Sequence, residues 1–318
     1  MDAFPVDDDG LIRLDTTRSL GFNDRELQRA CERGELDRVG PGVYAAPADR
    51  TPEERHRLTV LAASTTNDVV ISHSSAAVVH RLPMLGPDLS RVHITSATTD
   101  RGYRRGHRYL HPGWLAPADV VQIDGVWVTV IERTAFDVAR SSPHGFAGAL
   151  AVFDAALRAG ADRDRMAGYA RRPQTGVAVA RRALLYADPL SENPGESLGR
   201  AQMIEAGLPM PRLQCEIYDI DGDFVGRPDY EWRDGSGRRV VGEFDGVGKY
   251  LKYLSAGESA ETAIRREKER EGRLQDLGVI VVRWTWRELQ RRRMVPRVRA
   301  QLLAVGMIES SDPANPAA

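Results

Sequence analysis

The sequence predicts an α/β protein in three parts. These are a small α+β head over residues 1–50, a mixed α/β middle region over 51–188 and an α/β sandwich over 189–307, with a disordered tail at 308–318. Three observations predict this. Helix, turn, helix and hairpin patterns follow one another between Leu11 and Pro47. A loop rich in Pro, Ser, Asn and Gly, DPLSENPGES, marks a boundary near residue 190. Beyond it the order is helix, three strands, helix, strand, helix, which is the order of helices packed on a mixed sheet.

A chain of 318 residues has room for two or three domains. With 42% hydrophobic and 28% charged residues, ordinary globular cores can form. The formal net charge of -1 rules out an argument for nucleic-acid binding from overall charge, so any such contact has to come from local basic patches. Cys31 and Cys215 stand far apart without CxxC partners, which points to small buried hydrophobes in a reducing compartment rather than a zinc or disulfide framework. The first ten residues, MDAFPVDDDG, lack the basic-then-apolar order of a signal peptide. No stretch approaches the roughly 18 apolar residues needed to cross a bilayer. A cytoplasmic protein with no membrane partner is the expectation.

Each element has a local reason. A short helix begins near Leu11, turns at Leu20-Gly21-Phe22-Asn23 and gives way to a second helix ending about Arg33, with Asn23 or Asp24 as its cap. GELDRVGPGVYAAP places strand formers around a Gly-Pro-Gly turn and predicts a hairpin. Residues 51–66 read as a helix. Residues 68–140 mix the strands VVIS, RVHITS, RYLH and VWVTVIE with helices such as 74–81, and 145–187 reads as helical. The last part reads as helix 196–206, strands 213–220, 224–232 and 239–245, helix 258–277, strand VIVVRWT and helix 286–303.

Helix, turn, helix and hairpin together make the winged helix-turn-helix plan, in which the second helix enters the major groove. Arg25, Gln28, Arg29 and Arg33 recur at helical spacing and can reach base edges or phosphates, and Arg38 in the hairpin can meet the backbone of duplex DNA. Glu26, Glu32 and Glu35 lie among them, so a solvated, salt-bridged helix fits the same pattern. The segment LDTTRSLGFNDRELQRACERGELDRVGPGVYAAP resembles the N-terminal domain of AbiEi-type antitoxins of type IV toxin–antitoxin pairs. The stretches ISHSSAAVVHRLPML, VHIT, VTVIERTAFDVAR and ALAVFDAALRAG are similar to the region that follows it, so the likeness spans residues 11–185. That resemblance implies promoter binding, autorepression and a nucleotidyltransferase-like toxin as partner. His73 and His80, seven apart, share a face if their stretch is helical, but no third metal ligand is evident, and satisfied structural histidines are the simpler account. Arg133, Thr134 and Asp137 read as capping and packing residues.

The densest chemistry follows residue 190. Glu196 stands near a helix start, Asp229 near a strand end, and Glu243 and Asp245 on one strand, where alternation sends both to the same face. If the strands pair, the carboxylates converge. Clustered carboxylates repel unless a cation neutralises them, and an all-oxygen set suits Mg²⁺ or Mn²⁺. Such an ion activates water for phosphodiester cleavage, with Lys249 or Lys252 orienting it. Pro228-Asp229, Glu243-Phe244-Asp245-Gly246 and the run RREKEREGRLQDLGVIVVRWTWREL resemble the Vsr-like branch of the PD-(D/E)xK nucleases over about residues 190–305. The resemblance implies a restriction-endonuclease-like sandwich with Asp229, Glu243 and Asp245 as metal ligands and Glu196 as the helix acid. It also implies that Arg265, Lys268 and Arg270 face phosphate or the active-site rim. Two departures stand out: Asp245 occupies the place of the usual lysine, and Lys249 that of a histidine. Trp284 and Trp286 belong to a basic run whose simplest role is a solvated face, with Trp286 buried or stacked on a base.

Two functions fit this reading. One is a metal-dependent DNA endonuclease guided by the head. The other is a non-catalytic regulator that represses its own promoter while the rest of the chain docks a toxin or dimerises.

Overall fold

The computed structural model describes residues 4–63, 70–97, 101–246 and 260–309. The chain is an α/β protein, and no helix among the described residues is long and apolar enough to cross a membrane. It divides into two compact units. One holds the residues up to Gly145 together with Gly160–Arg181, the other Phe146–Ala159 together with the residues from Arg182 onward.

The N-terminal unit opens with β1 (Leu11–Arg13), α1 (Leu14–Ser19), α2 (Asp24–Glu32), β2 (Asp37–Gly40) and β3 (Val43–Ala45). The three strands form an antiparallel sheet in the order β1-β3-β2. Leu11–Arg13, expected as the start of a helix, is a strand because Leu11 pairs with Ala45 and Arg13 with Val43, so tertiary pairing overrides the local pattern. Alternation along β1 splits its side chains. Ile12 joins Leu27, Ala30 and Leu36 in a core under α2, while Leu11 joins a second core.

The unit continues with α3 (Pro52–Ala63), β4 (Val70–Ile71), α4 (His73–Val79), β5 (Val92–Ser96), β6 (Tyr103–Arg105), β7 (Arg108–Pro112), β8 (Val120–Ile123), β9 (Val126–Thr129), α5 (Ile131–Ser141) and α7 (Arg163–Tyr169). Six of these strands form a mixed sheet in the order β6-β7-β5-β4-β9-β8. Leu11, Val43 and Ala45 of the head pack with Val60, Leu61, Ile71, Ile94 and Val128 in one cluster. The head therefore shares its core with the middle region, in place of the division expected at residue 50; a three-stranded sheet of such short strands needs a further layer to cover its apolar face.

The C-terminal unit contains α6 (Gly145–Arg158) from Phe146 on, the end of α8 (Val177–Tyr186), α9 (Pro194–Glu205), β10 (Arg212–Leu213), β11 (Ile217–Tyr218), β12 (Phe224–Gly226), β13 (Tyr230–Arg233) and β14 (Arg239–Asp245). It continues with α10 (Ala260–Asp276), β15 (Val279–Thr285), α11 (Trp286–Gln290) and α12 (Met294–Ala304). Its main sheet runs β10-β13-β14-β15, antiparallel except for the parallel pair β14–β15. Even-numbered Val240 and Phe244 face a core with Trp284, Met203, Leu289 and Val298, whereas Val241 faces Ile217, Val225 and Leu274. Gly242 is required here, because a Cβ would stand 2.5 Å from the Trp284 ring.

Three expected elements are broken, each for a backbone reason. Strand 213–220 divides at Gln214, which has φ +51°. Strand 224–232 divides at Arg227-Pro228, where proline supplies no ladder N–H. Helix 286–303 divides at Arg292, with φ +54°. The domain boundary also falls elsewhere than residue 189, because α6 sends Asp154 into the C-terminal unit. There Asp154 accepts from Arg200 at 2.6 Å, from Ser197 Oγ at 2.7 Å and from the Asp188 backbone at 2.8 Å, and both charged side chains are fully buried.

Candidate nucleic-acid interface

The geometry of α2 follows from its ends and its spacing. Asn23 accepts the Glu26 N–H and Glu26 accepts the Asn23 N–H, a reciprocal cap that starts the helix at Asp24. Leu27 and Ala30, three apart, are buried, which leaves Arg25, Gln28 and Arg29 on the solvent side. Arg33, just after the helix, and Arg38 on β2 are exposed as well. Arg33 forms a two-point pair with Glu35 at 2.7 and 2.8 Å, Gln28 donates to Glu32 at 3.2 Å, and Arg18 pairs with Asp24. The face that holds Arg25 and Arg29 is open to solvent. The arrangement can present guanidinium forks and one amide to a groove edge, which is the chemistry that discriminates bases.

The C-terminal acids are arranged differently from the expected cluster. Asn193 caps α9 by accepting from Gly195 and Glu196, and Glu196 reaches back to accept from the Glu192 N–H at 2.7 Å and from the Asn193 side-chain amide. Gln214 donates to Glu196 at 3.3 Å and contacts Asp229 at 3.5 Å, so these two acids do come together around one amide. Asp229 also accepts the Phe244 N–H at 2.6 Å, just past the last ladder pair, Tyr230 with Gly242, and so closes the open end of the β13–β14 ladder. Asp245 ends β14 opposite Thr285.

Glu243 departs from the group. It is 6% exposed, and Arg270 grips both its oxygens at 2.7 and 2.9 Å while Arg283 adds a third contact at 3.0 Å. Glu267 completes the network by accepting from both arginines. Burial alone would raise the Glu243 pKa, but the hydrogen bonds and charge of Arg270 and Arg283 hold it below the ordinary carboxylate range.

The set Asp229, Glu243 and Asp245 therefore does not fit a Mg²⁺ or Mn²⁺ ion. Glu243 already has two guanidiniums as counter-ions, and Asp229 already accepts the Phe244 N–H. Arg270, expected toward phosphate, is turned inward onto Glu243. Arg265 and Lys268 are exposed, and Arg265 lies 3.9 Å from Glu269. Trp284 is in the core, and Trp286 is half-buried against it, tilted toward Phe244. Lys249 and Lys252 lie outside the described residues, as does the tail from residue 310.

Two groupings in the N-terminal unit lie outside the sequence reading, which paired His73 with His80. His73, His93 and His111 hold their ligand nitrogens within 4.8 Å of one another, whereas His80 donates elsewhere, to the Thr129 carbonyl. The trio forms a stack rather than a cage. His73 lies flat on His111 at 3.7 Å between ring centroids, and His93 and His111 share a hydrogen bond at 2.9 Å. Arg140 approaches His73 at 3.4 Å and, with Arg133, clamps the buried Asp137. Two arginines against one carboxylate already leave a surplus positive charge there, which disfavours a divalent cation. Burial, aided by the neighbouring imidazole and arginine charges, lowers His93 and His111 to about 4 and holds His73 well below the usual histidine range. β5 and β7 pair in parallel, and that pairing brings His93 close to His111, a contact that no spacing in the chain announces. The second feature is the β6–β7 hairpin. It lies in an acid-free run from Arg101 to Ala118 with four arginines, a signal that was legible in the sequence.

No protein-family model matches the chain. It is 29% identical over 263 residues to "Uncharacterized protein MT2308" of Mycobacterium tuberculosis (strain CDC 1551 / Oshkosh). It has the same identity to "Uncharacterized protein Rv2248" of strain ATCC 25618 / H37Rv, and the alignment covers 81% of this chain and 88% of each relative.

Proposed function

We propose that this chain is a cytoplasmic duplex-DNA-binding regulator that reads DNA with α2 and its flanking hairpin and does not cut it. The observation that carries the reading is the division of α2 into a buried Leu27–Ala30 side and an exposed Arg25–Gln28–Arg29 side. Inserted in a major groove, Arg25 and Arg29 offer paired donors to guanine O6 and N7, and Gln28 offers its amide to adenine. Arg38 meets a phosphate. The non-catalytic part of the reading is supported by Glu243, whose carboxylate is neutralised by Arg270 and Arg283.

The test is fluorescence anisotropy of the full chain with a duplex from upstream of its own gene and a scrambled duplex of equal length. Preference for the upstream duplex, reduced in Arg29→Ala, is expected; equal affinity for both would reject the regulator.

A second reading, a metal-dependent endonuclease, is favoured by the Gln214 amide shared between Glu196 and Asp229. Supercoiled plasmid with Mg²⁺ or Mn²⁺ separates the two. Metal-dependent nicking that Asp229→Asn abolishes would establish the nuclease.

A further inference from the structure

Residues 11–50 carry seven arginines and seven acids, so the head has a balanced charge. DNA affinity depends strongly on neutralising phosphates and releasing their counterions. A balanced module supplies little of that stabilisation, so the affinity has to come from neighbouring surface.

We propose that the β6–β7 hairpin is a second DNA-backbone contact that extends the wing, an inference that rests on the DNA-binding reading. Arg104, Arg105 and Arg108 lie on this two-stranded ribbon with His107 at its turn, and all four are exposed. No acid occurs between Arg101 and Ala118. The ribbon is held in shape. Arg105 pairs with Arg108 across a two-residue turn, where Gly106 takes φ +54°, Arg104 stacks over Tyr109 at 4.5 Å, and Arg108 donates to the Ala63 carbonyl at 3.0 Å.

Its position supports a shared ligand. His107 at the hairpin turn lines one open cleft of about 330 Å³ with Arg38, Val39, Gly40 and Pro41 of the wing. Wing and ribbon thus offer positive charge side by side within one compact unit. A duplex whose major groove takes α2 passes its phosphates along the wing, and the ribbon lies next in line. The contact is to phosphate, so it adds affinity without sequence preference.

The experiment uses the full chain and the same two duplexes in anisotropy titrations from 50 to 200 mM salt, a range over which phosphate contacts reveal themselves. In Arg104→Ala/Arg105→Ala/Arg108→Ala, the slope of log affinity against log salt is expected to flatten by about 2–3, roughly 0.9 for each phosphate that the variant no longer neutralises. The preference for the upstream duplex should stay unchanged. The triple lysine variant keeps the charge and should restore the slope, which separates removal of charge from failure to fold. A slope unchanged in the alanine variant, with the wild type still preferring its upstream duplex, overturns the hairpin contact alone. A wild type that binds neither duplex removes the parent reading and the hairpin with it. If the alanine variant loses double-stranded RNA while its DNA slope stays unchanged, the ribbon is an RNA surface and the proposal fails.

Discussion

In the N-terminal unit α2 turns Arg25 and Arg29 to solvent, whereas in the C-terminal unit α10 turns Arg270 inward onto Glu243. Both helices are charged along their length, and both read as basic faces in the sequence. The difference lies in what each helix packs against. Beneath α2 lie Ile12, Leu36 and the half-buried Tyr44, and among the described residues of the head no acid is buried, so the arginines stay outside. Beneath α10 the strand β14 presents a buried carboxylate, and leaving that charge unpaired would cost more than ordering an arginine. A run of arginines is therefore a nucleic-acid signal only where no buried acid claims it.

The largest effect that sharpens this contrast is expected inside the C-terminal unit. Asp154→Ala leaves Arg200 buried without its counter-charge and should cost about 3–5 kcal/mol, measured by urea unfolding. An unchanged midpoint would mean that Arg200 finds another partner. Acid should act strongly on the N-terminal unit. His93 and His111 titrate at about 4 when folded against 6.5 ordinarily, so the folded state binds fewer protons than the unfolded one between those values. Their contribution is fully present above pH 6.5 and is lost as the pH falls from 6.5 toward 4, which thermal melts across that range would detect. Asp137 and Glu243, both held low, add a further loss below the ordinary carboxylate range.

Glu243→Ala should destabilise by about 2–3 kcal/mol, less than Asp154→Ala because Arg270 and Arg283 keep Glu267. A variant that folds with wild-type stability would break the view of Glu243 as a structural anchor. Arg29→Ala should do the reverse, with stability within about 0.5 kcal/mol of wild type and DNA binding weaker by about 1–3 kcal/mol. Smallest is Asn23→Ala, which removes the cap of α2 and should cost about 1 kcal/mol.

Local rules carried much of the fold. The head's second helix, its Asn23 cap, the hairpin around Pro41-Gly42 and the strand–helix order after residue 190 follow from spacing, caps and turn residues near one another in the chain. The solvent face of α2 was legible in the helical spacing of Arg25, Gln28, Arg29 and Arg33. The breaks at Gln214 and Arg292 were not legible, because residues other than glycine seldom announce a left-handed backbone.

The sequence by itself determined the α/β class and the exposed arginines of α2, since periodicity, capping and burial of apolar residues act over a few positions. Only the tertiary structure decided that α6 joins the C-terminal unit through Asp154, that His93 meets His111, and that Glu243 belongs to Arg270 and Arg283 rather than to Asp229. Those outcomes depend on pairings between distant segments, and a buried charge takes whichever opposite charge the packed elements bring within reach.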